Sequence, residues 1–242
     1  MRNNPGSKRI IFFILSVIAL FGLVSCGSPL SGSSFPNTQR AVIDWVNFIH
    51  FNGITYLTGP TKPGRSVKES DRGPVLATVR FKLEGNVQDP NYQSKDGDAA
   101  ALEVGTKIYS MKGYNPTFRL IAQENNALTL YEADTNPRAR KGADLLDIGG
   151  KVGYISIVSA QDDVTELGTI KDSGRVATLV SLILTAPVDQ NHQAGNQQYS
   201  LFFYLLDGTV VMRTYWVDTG ELSRGILLPQ AFGQAIKAAL AK

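Results

Sequence analysis

Residues 199–217 read YSLFFYLLDGTVVMRTYWV, two runs of aromatic and β-branched residues on either side of Asp207-Gly208. Such runs around Asp-Gly predict a β-hairpin with a two-residue type I′ turn. That turn pairs Leu205 with Val210, Phe203 with Met212 and Tyr199 with Trp216. Because side chains alternate along a strand, Leu201, Phe203, Leu205, Val210, Met212 and Trp216 then share one face and turn toward a core. The other face carries Phe202, Tyr204, Val211, Arg213 and Tyr215. If both faces are covered, the hairpin is central and all of it is core; if the second face is open, it is an apolar, aromatic patch of the kind that marks ligand or partner binding. Arg213 is then its polar handle, and Arg213→Ala costs under about 1 kcal/mol, as on a solvated surface.

Helical signals flank the hairpin. After Asp172-Ser173, apolar residues fall at Val176, Leu179, Val180, Ile183 and Leu184, one face of a helix with Asp172 or Ser173 as N-cap and Pro187 beyond its end. Pro229 can open a second helix with Phe232, Ile236, Ala239 and Leu240 as its stripe.

The chain before residue 170 has the period of strands. Residues 42–56 are apolar and aromatic on both sides of Asn52-Gly53, a second hairpin signal. Residues 75–84 alternate, with Val75, Ala77, Val79, Phe81 and Leu83 on the inward face. Residues 107–111, 117–122, 128–132 and 152–158 add four more strands between turn signals. The expected class is α+β: a β-rich, sandwich- or barrel-like N-terminal part followed by a helix–hairpin–helix unit. Residues 41–242 form the domain, with two subdomains meeting near residue 170.

The first 26 residues give an address. Arg2, Lys8 and Arg9 precede an apolar run, 10–24, which is too short for the about 20 residues of a membrane span. The run ends in Leu23-Val24-Ser25-Cys26, and Cys26 is the only cysteine. This segment resembles the lipobox signal peptide of bacterial lipoproteins, although Val24 stands where a small residue is usual. The resemblance implies cleavage before Cys26, a thioether at its sulfur that carries two palmitate-like acyl chains, and a protein anchored in the cell membrane and facing outside the cytoplasm. Beyond the signal, the pattern is similar to that of uncharacterised bacterial lipoproteins. Residues 26–40, rich in Ser, Gly and Pro, make a flexible tether spanning roughly 20 Å.

Removal of residues 1–25 changes the electrostatics. Three of the 24 bases and none of the 21 acids lie there, so the remainder carries 21 of each. No basic excess is left for nucleic acid. Arg138-Ala139-Arg140-Lys141 reads as a solvated turn. With Cys26 acylated, no thiol is left for a disulfide, a nucleophile or a zinc site.

Motifs for catalysis and metals are missing. There is no G-x-S-x-G, S-x-x-K or H-E-x-x-H, and 147–151 has the wrong glycine spacing for a phosphate loop. The acidic stretch 89–98 fails as a calcium loop, since Ser94 and Ala100 occupy the positions of the required Gly and Glu. His50 is expected on a strand, outward or hydrogen-bonded, and His192 is expected exposed in a polar loop. No catalytic residue, cofactor or metal is assigned. The expected role is binding or interaction in the envelope, with Phe202, Tyr204, Arg213 and Tyr215 as the surface. A hydrolase acting through scattered carboxylates and a structural or assembly lipoprotein are the alternatives.

Overall fold

Asn52 and Gly53 both take positive φ, 51° and 63°, the type I′ geometry of a two-residue hairpin. They join β1 (Phe48–Phe51) to β2 (Ile54–Thr58), with Phe51 opposite Ile54. A computed structural model of the chain describes residues 44–60, 63–124 and 126–241. The signal segment, Cys26, the 26–40 tether and the first residues of the apolar run after it lie outside the described residues.

The first sheet also holds β3 (Arg72–Thr78), β4 (Phe81–Lys82), β5 (Asp98–Ala99), β6 (Lys107–Met111), β7 (Arg119–Glu124) and β8 (Ala127–Thr135). Its order is β3-β6-β7-β8-β2-β1-β5-β4. The outermost strands, β3 and β4, are separated in the chain only by Val79 and Arg80. Three peptide steps span at most about 11 Å, so the sheet curls until its edges meet there. Val79 donates its N–H to Thr106 on one side and Arg80 to Gly97 on the other, at 2.9 and 2.7 Å. Residues 75–84 are therefore two strands rather than the single alternating one expected. Bulges in β3 on both sides of Val75 break the alternation, and Val75 is exposed while Val79 and Leu83 are buried. Elsewhere the period of two holds. Ile54, Tyr56, Leu120, Ala122, Tyr131 and Ala133 point into the curl, and Ile121 and Leu130 point out.

The second sheet comprises β9 (Val152–Ser159), β10 (Glu166–Ile170), β11 (Gln198–Leu205), β12 (Val210–Trp216), β13 (Glu221–Leu222) and β14 (Ile226–Leu227), ordered β10-β9-β11-β12-β13-β14. α1 (Ser173–Thr185) starts as expected, with the Asp172 carboxylate accepting the Arg175 N–H at 2.8 Å. α2 (Gln230–Leu240) has Pro229 at its N-cap, one position before that expected. Val176, Leu179, Val180 and Ile183 of α1 and Phe232 and Ile236 of α2 close over one face of this sheet. Among the described residues no helix is long and apolar enough to cross a membrane.

The chain is β-rich, and α+β describes it only loosely. The expected helix–hairpin–helix unit is not separate, because β9 pairs with β11 from Tyr199–Ser159 to Leu205–Val152. The two sheets part between Thr135 and Val152, not near residue 170. The described residues form a single compact unit.

The hairpin register also differs from expectation. Gly208 donates to the Leu205 carbonyl and Leu205 to the Thr209 carbonyl, both at 2.9 Å, and Gly208 has φ 84°. The loop is thus three residues, Leu206-Asp207-Gly208, a turn closed by a glycine bulge. Phe203 pairs with Val211, Leu201 with Arg213 and Tyr199 with Tyr215. A one-residue slip moves every β12 side chain to the opposite face. Asp207 explains the choice. Its carboxylate accepts the Thr209 N–H at 2.8 Å, the Thr209 hydroxyl at 2.7 Å and the Tyr114 hydroxyl at 2.8 Å, an Asx turn that a type I′ loop would break.

Candidate functional site

The slip divides the four residues expected to form one binding surface. Phe202 and Tyr204 stay on the face away from the helices, whereas Arg213 and Tyr215 turn inward with Leu201 and Phe203. Tyr215 is 2% exposed and meets the Phe232 ring edge-on, centroids 5.2 Å apart. It is core beneath α2.

Arg213 is buried and charged. Its guanidinium donates to Glu132 at 2.9 Å and to the Met212 carbonyl at 2.7 Å. Glu132, on β8, also accepts two bonds from Arg119 on β7, at 3.0 and 2.6 Å. Arg119, fully buried, reaches across to the Thr209 hydroxyl at 2.8 Å and the Val210 carbonyl at 3.0 Å. One carboxylate therefore joins a strand pair of the first sheet to the hairpin of the second. Of the covered and open readings of that face, Arg213 follows the covered one: it is structural, not a handle on an open surface. Sequence held one clue, since Arg119 directly precedes the apolar run Leu120-Ile121-Ala122 and Glu132 lies between Tyr131 and Ala133.

A polar cleft of about 310 Å³ opens beside this pair. Asp134, at the end of β8, pairs with Arg224 of the β13–β14 turn. His192 Nδ1 lies 2.7 Å from Glu221 Oε2, and Glu221 also accepts the Gly225 N–H. His192 is half-buried, not exposed as expected, because the buried Glu221 carboxylate draws in its loop. Both carboxylates that line the cleft are thus tied to a cation or imidazole, Asp134 to Arg224 and Glu221 to His192. A glycosidase needs one carboxyl held neutral as acid facing another as base or nucleophile, and two tied carboxylates favour cohesion instead.

The outer face of the second sheet has a different chemistry. The Tyr204 ring stacks on Tyr154 of β9 with centroids 4.2 Å apart and planes 11° from parallel, the cross-strand pairing that β-register allows. Beside them lies a hollow of about 250 Å³, floored by Ser156, Val158 and Phe202 and rimmed by Pro63, Val164 and Glu166. Glu166 accepts the hydroxyls of Ser156 and Thr169, both at 2.6 Å, which hold its carboxyl below the usual range. Val164 is 81% exposed and Leu206, at the hairpin tip, 74%. Phe202 itself is buried in the floor, so contact falls to Tyr154, Tyr204, Val164 and Leu206. Sequence reasoning passed over Tyr154 and Val164, whose place depends on the β9–β10 hairpin, and β10 was not foreseen.

The remaining candidates are local. His50 Nδ1 lies 3.2 Å from the Thr55 hydroxyl across the β1–β2 hairpin. In the 89–98 loop, Asp89 accepts the Asn91 N–H, and Asp98 accepts the Lys95 N–H and the Tyr92 hydroxyl. These carboxylates shape turns. Arg138 donates to the Asn52 carbonyl at 2.7 Å, fixing its exposed turn against the first hairpin. Among the described residues no three His, Cys, Asp or Glu side chains gather where they could hold a metal ion. Compared with family models, curated proteins and solved structures, the chain matches none.

Proposed function

We propose that this chain is a lipid-anchored protein of the cell envelope, held outside the cytoplasm by acyl chains on Cys26, and that it works by binding rather than catalysis. The lipobox-like segment supports the anchor. Two acyl chains give stable attachment where one is marginal, and the tether leaves the domain room to meet a partner. The observation carrying the binding role is the outer face of the second sheet. Val164 stands in solvent on the rim of a hollow that Tyr204 also lines, Tyr204 stacks on Tyr154, and Leu206 is exposed at the hairpin tip. Exposed apolar groups gathered like this mark contact surfaces, and tyrosines suit them by offering an apolar ring and a polar tip.

Two experiments test the reading separately. Cys26→Ser is expected to abolish labelling by a palmitate analogue and to move the protein out of the membrane fraction or leave it unprocessed. Equal labelling of wild type and variant would overturn the anchor. For the surface, a photocrosslinking residue at Leu206 in intact cells should give a defined adduct that Val164→Asp removes. Both positions are exposed, so the melting temperature should move by no more than about 2 °C. An adduct indifferent to Val164→Asp would remove this face from the proposal.

A further inference from the structure

α1 and α2 cover the second sheet without closing on each other. α2 lies on the outermost strand, β10. A Cβ on Gly168 would come within 2.7 Å of the Ala239 carbonyl, so only glycine lets the helix come this close. α1 packs on β9, one strand further in. Between them runs a groove of about 530 Å³, within the roughly 300–1,000 Å³ typical of small-molecule sites. Its walls are Ile170, Leu179, Leu182, Ala231, Ala235 and Ala239. The alanines on the α2 side give it depth, since larger residues there would fill it.

Apart from Thr169 and Thr178, the polar residues of the lining gather at one end. Lys171 and Arg175 stand there, both exposed, beside Gly174 and the first turn of α1. Neither takes part in an ion pair among the described residues. Asp172 is also at this end as the helix cap, its carboxylate accepting the Arg175 N–H, and two cations against its single charge leave the end net positive. Two cationic side chains and the positive end of a 13-residue helix favour an anion. The apolar length behind them, along the roughly 16 Å of α2, favours an alkyl chain. Size decides between occupants. A partner helix over that length, about 10 Å across, occupies about 1,200 Å³, more than twice the groove. A diacyl lipid would leave its second chain in water.

We propose that the α1–α2 groove binds one long-chain fatty acid, its alkyl chain between the helices and its carboxylate at Lys171 and Arg175. This site lies on the helical side of the second sheet, away from the aromatic face, and stands whether or not that face binds a partner.

The test uses washed membranes carrying the full chain, where no acyl activation takes place, and palmitate bearing a diazirine. Adducts mapped by mass spectrometry should fall within 169–182 and 231–239, distinct from any label near Cys26. The exposed pair Lys171→Glu with Arg175→Glu should lower groove labelling about tenfold, equivalent to about 1.4 kcal/mol of binding. Hexadecanol carrying the same diazirine should label wild type as weakly as palmitate labels that double variant. Ala235→Trp should block the groove, while Ala177→Trp, on the other flank of α1, should leave labelling unchanged. Equal palmitate labelling of wild type and both groove variants would overturn the proposal. So would labelling by a diazirine phosphatidylglycerol as strong as by the fatty acid, which would show that a single chain is not what the groove selects.

Discussion

Glu132→Ala is expected to destabilise the folded chain by about 3–5 kcal/mol, the range for removing one partner from a buried ion pair. The side chain is 5% exposed and faces two guanidiniums, Arg119 at 0% and Arg213 at 8%. Without it, both cations stay in the seam between the sheets, repelling each other with water largely shut out. Arg119 keeps the Thr209 hydroxyl and the Val210 carbonyl, and stacking on the Tyr114 and Phe118 rings at 4.8 and 5.0 Å. Those contacts satisfy its donors without neutralising its charge. Arg213→Ala should cost less, about 1.5–3 kcal/mol for a lost charged hydrogen bond, because Glu132 keeps Arg119. The double variant Glu132→Ala/Arg213→Ala should then be less destabilised than the two losses added together, by at least about 0.5 kcal/mol. Urea unfolding of the three proteins measures this. A loss below about 1 kcal/mol for Glu132→Ala would mean the seam is hydrated and the sheets are held by apolar contact alone.

What could be read from the sequence, and what could not, follows the range of each signal. The Asn52-Gly53 turn, the Asp172 cap and the helical stripe from Val176 to Ile183 are local, and each is found at or within a residue of its expected place. Longer-range facts were missed. β10 has the sequence ELGTI, with a polar residue at its first position and glycine at its centre. No period marks it as a strand, and it forms because β9 offers an edge and α2 a cover. The curl of the first sheet depends on a two-residue step, Val79-Arg80, that continues the alternating pattern unbroken. At the candidate surface, Phe202 and Tyr204 were legible as neighbours on one face. Arg213 and Tyr215 were misplaced by the same error in loop length. Asp207 can serve a two-residue loop as readily as an Asx turn, and only its contacts with Thr209 and Tyr114, the latter 93 residues distant, select the second. Burial, and after it the bond to Asp207, pushes the Tyr114 hydroxyl up to about 12. A register error is a large error in a sheet with unlike faces, because it exchanges core and surface for a whole strand.

Phe203→Ala is expected to cost about 3–5 kcal/mol, the usual range for emptying an aromatic core site. Phe203 is fully buried on the face that α1 and α2 close, with Leu201, Leu205, Val211 and Tyr215 around it. Both registers place Phe203 inward, so this loss alone does not tell them apart. Its coupling to β12 does. In the observed register Val211 is directly opposite and fully buried, while Met212 is half-buried on the other face with Phe202. A double-mutant cycle between Phe203→Ala and Val211→Ala should give an interaction of at least about 0.5 kcal/mol, since the two side chains share one cavity. The cycle between Phe203→Ala and Met212→Ala should be additive within about 0.3–0.5 kcal/mol, because the sheet separates them. The reverse pattern would restore the two-residue turn. It would also return Arg213 to the face of Phe202 and Tyr204, and with it the four-residue surface that the structure divides.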